Sequence, residues 1–116
     1  MKEKTIVTKE NDLPKLVRDK IPEIIAQSKT SVARIRISDS DTERKDFILK
    51  KLREETKEFI EDPCEEEAAD MYEVFLGMCE TWNLDFQEVL KIAGEKRASR
   101  GGFENFYILE SVDDHY

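Results

Sequence analysis

Two pairs of carboxylates interrupt the apolar faces of neighbouring predicted helices, and this pattern constrains the fold more than any other feature. Glu55 pairs with Glu58, and Glu67 pairs with Asp70, each at i,i+3 spacing. Because successive helical residues turn by about 100°, Glu55 falls inside the apolar arc of the segment 41–61. A carboxylate placed against a core destabilises a fold by several kcal/mol unless a positive group meets it. The pattern therefore predicts helices that pack together and share a cationic partner.

Local signals predict an all-α protein, an antiparallel bundle of about four helices. Pro22 starts a short first helix that ends around 28–30. The second helix begins after Ser40, because Ser40 and Glu43 have the spacing of a capping box. It extends to Glu61, where the next turn begins.

The third and fourth helices also carry start and stop signals. Asp62 and Pro63 are interpreted as the N-cap and first residue of the third helix, which runs to about Trp82. The fourth begins at Asp85 and ends at Gly101–Gly102. Since the turn at Asp62–Pro63 is tight, it is expected to bring the two acidic pairs close together.

The remaining segments are predicted to be loose or extended. Residues 1–12 are polar and are expected to be loose, and residues 13–116 are expected to form a single helical domain. The segment 32–37, where arginine alternates with isoleucine, is interpreted as a short strand or an extended loop. The segment 103–109 has a strand-like composition, and it is expected either to pack along the bundle or to pair with the earlier segment.

Composition limits the classes of partner. The chain has 116 residues and a formal net charge of −8, so binding to a nucleic acid is opposed electrostatically. No apolar run approaches the ~20 residues of a membrane span, and the N-terminus lacks the apolar stretch of a secretory signal. Cys64 and Cys79 are not spaced for a metal motif and are predicted to be buried free thiols. These features together favour a soluble cytoplasmic protein.

The type of residue in the acidic cluster favours a hard cation. Oxygen ligands without histidine suit Mg²⁺, or alternatively Mn²⁺, better than zinc or iron. The single histidine, His115, is next to the C-terminus, so it is not expected to contribute a ligand or a catalytic base. Glutamate-rich helix faces are also often simply solvated. Helical geometry alone leaves the metal site and the solvated face both open.

Four stretches of the sequence resemble the all-α nucleoside triphosphate pyrophosphohydrolases, the group that includes MazG, dimeric dUTPases and phosphoribosyl-ATP pyrophosphohydrolase. E-E-T-K-E at 54–58 and E-A-A-D at 67–70 are similar to the EExxE and ExxD signature of that group. K-L-V-R-D-K-I-P-E-I-I at 15–25 and K-R-A-S-R-G-G-F at 96–103 are similar to a small MazG-like branch. Together these motifs span nearly the whole chain.

The resemblance implies an Mg²⁺-dependent enzyme that cleaves a nucleotide between its α and β phosphates, releasing a monophosphate and pyrophosphate. It implies that Glu55, Glu58, Glu67 and Asp70 are metal ligands, and that Glu54 is an outer ligand or orients water. Only eight residues separate Glu58 from Glu67. This interval is shorter than in much of the wider superfamily. A set of three metal ligands is therefore an alternative to the set of four, and the substrates of the longer members are a poor guide to the substrate of this chain.

The leaving pyrophosphate of such a reaction needs cationic support, because charge builds on it in the transition state. Four basic residues are the sequence candidates for binding the substrate phosphates: Arg18, Lys20, Lys96 and Arg100. For Lys96 and Arg100 the alternative is a favourable interaction with the C-terminus of their helix. For Arg18 the alternative is a structural ion pair with Asp19 or with a helix acid.

Two further expectations concern assembly and function. The third helix is apolar around more than half of its circumference, which predicts a homodimer or homotetramer, as in the resembled families. The alternative to an enzyme is a non-catalytic helical module that binds nucleotides or regulates a partner. Retention of every acidic position of the signature favours the enzyme, because a catalytically dead relative is expected to lose one of them.

Overall fold

The computed structural model of the chain describes residues 13–114, and every regular element in this part of the chain is a helix. The predicted loose N-terminus, 1–12, and His115 lie outside the described residues. Two compact units are separated between Leu84 and Asp85. The four helices are α1 (Ile21–Ala26), α2 (Asp41–Glu61), α3 (Glu65–Thr81) and α4 (Phe86–Arg100), which confirms the predicted all-α class.

The start of α2 confirms the sequence signal, although only half of the predicted capping box forms. The Ser40 side chain accepts a hydrogen bond from the backbone N–H of Glu43 at 3.1 Å. The Glu43 carboxylate instead accepts two hydrogen bonds from the Arg36 guanidinium, at 2.6 and 2.7 Å. A bidentate arginine pair therefore fastens the preceding loop to the first turn of α2.

Because of this pair, we expect the Glu43 carboxyl to titrate far below the usual range. The hydrogen bond from Arg36, followed by that from Ser38, lowers the pKa of Glu43 from 4.5 to about 2. A lowered folded-state pKa contributes stability that is present above about pH 4.5 and is lost as pH falls towards 2. A carbon-detected NMR titration should find the Glu43 midpoint near 2, and in Arg36→Gln it should rise towards 4.5. An unchanged midpoint in the variant would show that Arg36 is not the cause.

The predicted start of α3 is wrong by two residues. Asp62 and Pro63 were expected to be the N-cap and first helical residue, whereas Asp62 is the C-cap of α2 and its backbone N–H donates to the carbonyl of Glu58. The N-cap of α3 is Cys64, which makes no side-chain capping hydrogen bond. Three acidic residues follow in the first turn, where they interact favourably with the helix dipole.

α2 and α3 pack against each other as a hairpin and contain the buried core. Since only three residues connect them, the two helices run antiparallel. Ile48 of α2 and Val74 and Cys79 of α3 are the buried apolar side chains of the described residues. Gly77 allows close approach, because a Cβ atom there would lie 2.9 Å from Cδ1 of Ile48. Cys79 is a buried free thiol as predicted, and Cys64 is a half-buried one.

The second unit contains α4, whose bounds match the prediction. Asp85 caps the helix by accepting hydrogen bonds from the backbone N–H groups of Gln87 and Glu88. Gly101 ends it at φ 82°, a left-handed conformation that favours glycine. Arg97 then forms an ion pair with Glu104 in the following segment.

The two extended segments do not form strands. The segment 32–37 is an irregular loop, which agrees with the second of its two interpretations. The segment 103–109 begins with a turn and is otherwise irregular, and its large apolar side chains are exposed. The strand alternative is therefore not met for either segment among the described residues. Short β-branched runs gain little free energy as strands unless another strand supplies hydrogen bonds and a packed face.

No helix among residues 13–114 is both long enough and apolar enough to cross a membrane.

Candidate metal centre

Three of the carboxylates near the end of α2 form a group, at Glu54, Glu55 and Glu58. Glu55 is only 3% exposed, which confirms that it faces the interior as its place in the apolar arc predicts. Glu54 and Glu58 flank it and are half-buried. The Oε2 atom of Glu58 nevertheless has almost no contact with solvent. Helical periodicity therefore turns Glu55 towards α3 and not into bulk water.

Two of the acidic residues in the first turns of α3 belong to the cluster, Glu67 and Asp70. Glu67 is 7% exposed, and its Oε2 atom is also shielded from solvent. Asp70 lies one turn further along and is half-buried. The i,i+3 spacing places both side chains on the same face of the helix, towards α2.

The hairpin brings Glu55 of the first acidic pair together with the second pair, Glu67 and Asp70. One carboxylate oxygen from each of Glu55, Glu67 and Asp70 lies within 4.8 Å of the other two. A second group of three, formed by Glu54, Glu55 and Glu58, meets the same limit, and Glu55 belongs to both. Ligand oxygens on opposite sides of Mg²⁺ are about 4.2 Å apart, twice the metal–oxygen distance. Small side-chain movements would thus bring either group to coordination distance.

Lys51 and Lys15 place positive charge beside the buried acids. The Nζ atom of Lys51 lies 3.5 Å from a carboxylate oxygen of Glu54 and 3.5 Å from one of Glu55. Lys15 donates a hydrogen bond of 2.8 Å to Glu54 from the segment that precedes α1. Burial alone would raise the pKa of Glu54, but the two ammonium groups outweigh it and the pKa is lowered. Glu54 is therefore fully ionised at neutral pH.

Arg18 contacts the cluster from the side of α3. Its guanidinium donates a hydrogen bond of 2.7 Å to Oδ1 of Asp70, while the arginine side chain remains 53% exposed. This contact matches the ion pair with a helix acid that was the alternative to phosphate binding. Because Lys15 contacts α2 and Arg18 contacts α3, the segment 15–18 connects the two helices of the hairpin.

The other predicted phosphate ligands are one residue of the first unit and two of the second. Lys20 is exposed at the N-cap position of α1. Lys96 and Arg100 are exposed on the last turns of α4, in the second unit, where the backbone carbonyl of Lys96 accepts a hydrogen bond from Ser99. Their binding to substrate phosphates stays a prediction.

Sequence reasoning missed Lys15 and Lys51 as partners of the acids. Lys51 precedes Glu54 and Glu55 by three and four residues, so helical spacing was a signal that could have found it. Lys15 is 39 residues away from Glu54 along the chain, and no local pattern predicts that contact.

The donor set decides which cations fit this centre. All five side chains offer carboxylate oxygens, which hard divalent cations prefer, and no nitrogen or sulfur ligand belongs to either group. Each group offers at least three such ligands and leaves other coordination positions for water or phosphate. The arrangement suits Mg²⁺ or Mn²⁺ in its chemistry and its spacing.

Compared with protein-family models, with curated proteins and with solved structures, the chain has no match.

Proposed function

We propose that this protein is an Mg²⁺-dependent hydrolase that cleaves a nucleotide between its α and β phosphates and releases a nucleoside monophosphate and pyrophosphate. The observation that supports the proposal is the convergence of carboxylate oxygens of Glu55, Glu67 and Asp70 from two helices, within 4.8 Å of one another. The order of motifs from residue 15 to residue 103 adds the resemblance to the all-α pyrophosphohydrolases.

Five carboxylates have two different roles in this proposal. Glu55, Glu58, Glu67 and Asp70 hold Mg²⁺, with Glu55 between the two acidic groups. The bound ion supplies charge neutralisation for the phosphates and acidifies a water molecule. Glu54 suits the orientation of that water better than the removal of its proton, because its lowered pKa makes it a weak base at neutral pH.

The assay for this proposal is pyrophosphate release from a panel of nucleoside triphosphates, run with Mg²⁺ and again with the metal chelated. We expect release from at least one triphosphate, and we expect chelation to abolish it. No release from any member of a panel that includes modified bases would count against hydrolysis.

One observation favours the non-catalytic alternative, a helical module that binds nucleotides or regulates a partner. Lys51, Lys15 and Arg18 already form ion pairs with Glu55, Glu54 and Asp70. Networks of this kind also serve to fix the packing of helices. The two functions differ in their response to Mn²⁺. The carboxylates of an enzyme centre would bind the ion, whereas an ion-pair network that only fixes helix packing would not be stabilised by it.

We further propose that the protein acts as a homodimer or homotetramer in which α3 contributes to the interface. Tyr72 is 54% exposed, and Phe75 on the same helix and Trp82 at its C-cap are also exposed. Exposed aromatic side chains are enriched at interfaces because they bury large apolar areas. The long irregular segment after α4 exposes more apolar surface.

We expect size-exclusion chromatography with light scattering to give at least twice the mass of the chain, which is 13.6 kDa. Tyr72→Lys should shift the protein towards the monomer, because it places a charge in the apolar contact. Glu73→Lys, at the neighbouring exposed position of α3, is the matched control and should leave the mass unchanged. A monomer at micromolar concentration in the unmodified protein would contradict the proposal.

A further inference from the structure

A pocket of about 360 Å³ lies between α2 and the segment that precedes α1, directly beside the acidic cluster. Pro14, Lys15 and Leu16 form one side of it. The other side is a stripe of α2 that runs along 47–61. Glu54 and Glu58, two of the five clustered carboxylates, belong to that stripe, so the pocket opens onto the candidate metal centre.

Four lysines line this one pocket: Lys15, Lys50, Lys51 and Lys57. Their concentration is unusual for a chain with a net charge of −8. Lys15 and Lys51 already bind the acidic cluster. Lys50 and Lys57 differ from them: both are exposed, and they lie seven residues apart, two turns along the same face of α2. Lys50 lies with its ammonium group 5.0 Å from the centre of the Phe47 ring, a contact that a bound phosphate could share, and neither lysine has to leave the buried acids to reach a ligand.

We infer that this pocket is the subsite for the phosphate chain of the substrate, with Lys50 and Lys57 as phosphate-binding residues. The inference rests on the proposed function and adds phosphate ligands to it. Carboxylates at one edge and lysines along the wall suit a polyphosphate held by a metal ion at one end and by ammonium groups at the other. The ligand class is a linear chain of two or more phosphates.

The charges that line the pocket predict which phosphates such a subsite would prefer. Glu54, Glu58 and Glu61 share the lining with the lysines, so a lone phosphate meets both signs of charge. A longer polyphosphate gains binding energy from the lysines, and the metal ion bound at its other end neutralises the neighbouring carboxylates. Affinity should therefore rise from orthophosphate to tripolyphosphate, and it should weaken with added salt because the lysines are exposed.

The test is calorimetric titration of the full chain with tripolyphosphate in the presence of Mg²⁺. We expect Lys50→Ala combined with Lys57→Ala to weaken binding about tenfold, which corresponds to two exposed ion pairs of roughly 0.7 kcal/mol each. The matched control is Arg53→Ala, an exposed cation of α2 that does not line this pocket, and it should change binding less than about twofold. Replacement of both lysines by arginine should preserve binding.

Mn²⁺ binding, followed by electron paramagnetic resonance, separates this inference from the proposed function. Removal of two nearby positive charges should leave Mn²⁺ affinity unchanged or slightly tighter, the opposite direction to its effect on tripolyphosphate. If the double alanine variant binds tripolyphosphate as the unmodified protein does, or if Arg53→Ala weakens binding equally, the subsite is wrong even where Mn²⁺ binds. If Mn²⁺ does not bind the unmodified protein, the proposed function fails instead.

Discussion

Glu55→Gln is expected to lower metal-dependent pyrophosphate release by more than about 100-fold, because loss of a mere supporting contact to a metal ligand already costs 10- to 100-fold. Glu55 is the carboxylate that both acidic groups share, and it is almost completely buried. Glutamine keeps the shape of the side chain but removes its charge, so the coordination weakens while the packing is kept. Initial rates at saturating Mg²⁺, together with Mn²⁺ affinity, measure the effect.

The matched control for Glu55→Gln is Asp46→Asn, an exposed carboxylate on the same helix that belongs to neither acidic group. It should retain full activity and Mn²⁺ affinity. Circular dichroism should give the same helix content for both variants. Equal activity in Glu55→Gln and the unmodified protein would remove the metal centre from the mechanism, and with it the proposed hydrolysis.

Ile48→Ala is expected to lower the free energy of unfolding by about 3 kcal/mol, the middle of the range for truncation of a buried isoleucine. Ile48 is the buried apolar residue of α2, and its side chain lies against Gly77 of α3. Gly77 cannot fill the cavity that the truncated isoleucine leaves, because glycine has no side chain that could move into it. Urea denaturation at a fixed protein concentration measures the change.

Ile37→Ala is the control for the core, because Ile37 is the same type of residue and is 88% exposed in the loop before α2. Its effect should lie within about 0.5 kcal/mol. If Ile48→Ala were no more destabilising than Ile37→Ala, the α2–α3 contact would not be the source of the stability of this unit.

Sequence signals located the helices well where a cap or a stop residue acts locally. Ser40 sets the start of α2 through its own side chain, and Gly101 ends α4 through its backbone conformation. The start of α3 was misplaced because Asp62 and Pro63 suit either the end of one helix or the beginning of the next. Which of the two positions they take depends on how the hairpin packs, and a pattern of four residues carries no information about that packing.

The acidic cluster was predictable because two short-range rules combine in it. Helical spacing placed Glu55 on the interior face, and a tight connection brought Glu67 and Asp70 opposite it. The cationic partners were not predictable in the same way. Lys15 reaches Glu54 across 39 residues of chain, and its pocket arises only when the segment before α1 lies against α2.

The three-residue connection between α2 and α3 determines which end of the hairpin opens first. The acids lie at the closed end of the hairpin, whereas the first turn of α2 and the last turn of α3 form its open end. Fraying starts at an open end, and a short loop keeps its two flanks at high effective concentration. Partial opening of the hairpin would separate Ile48 and Gly77 well before it parted Glu55 from Glu67. A cation bound as we propose would therefore keep its ligands from both helices through such local unfolding.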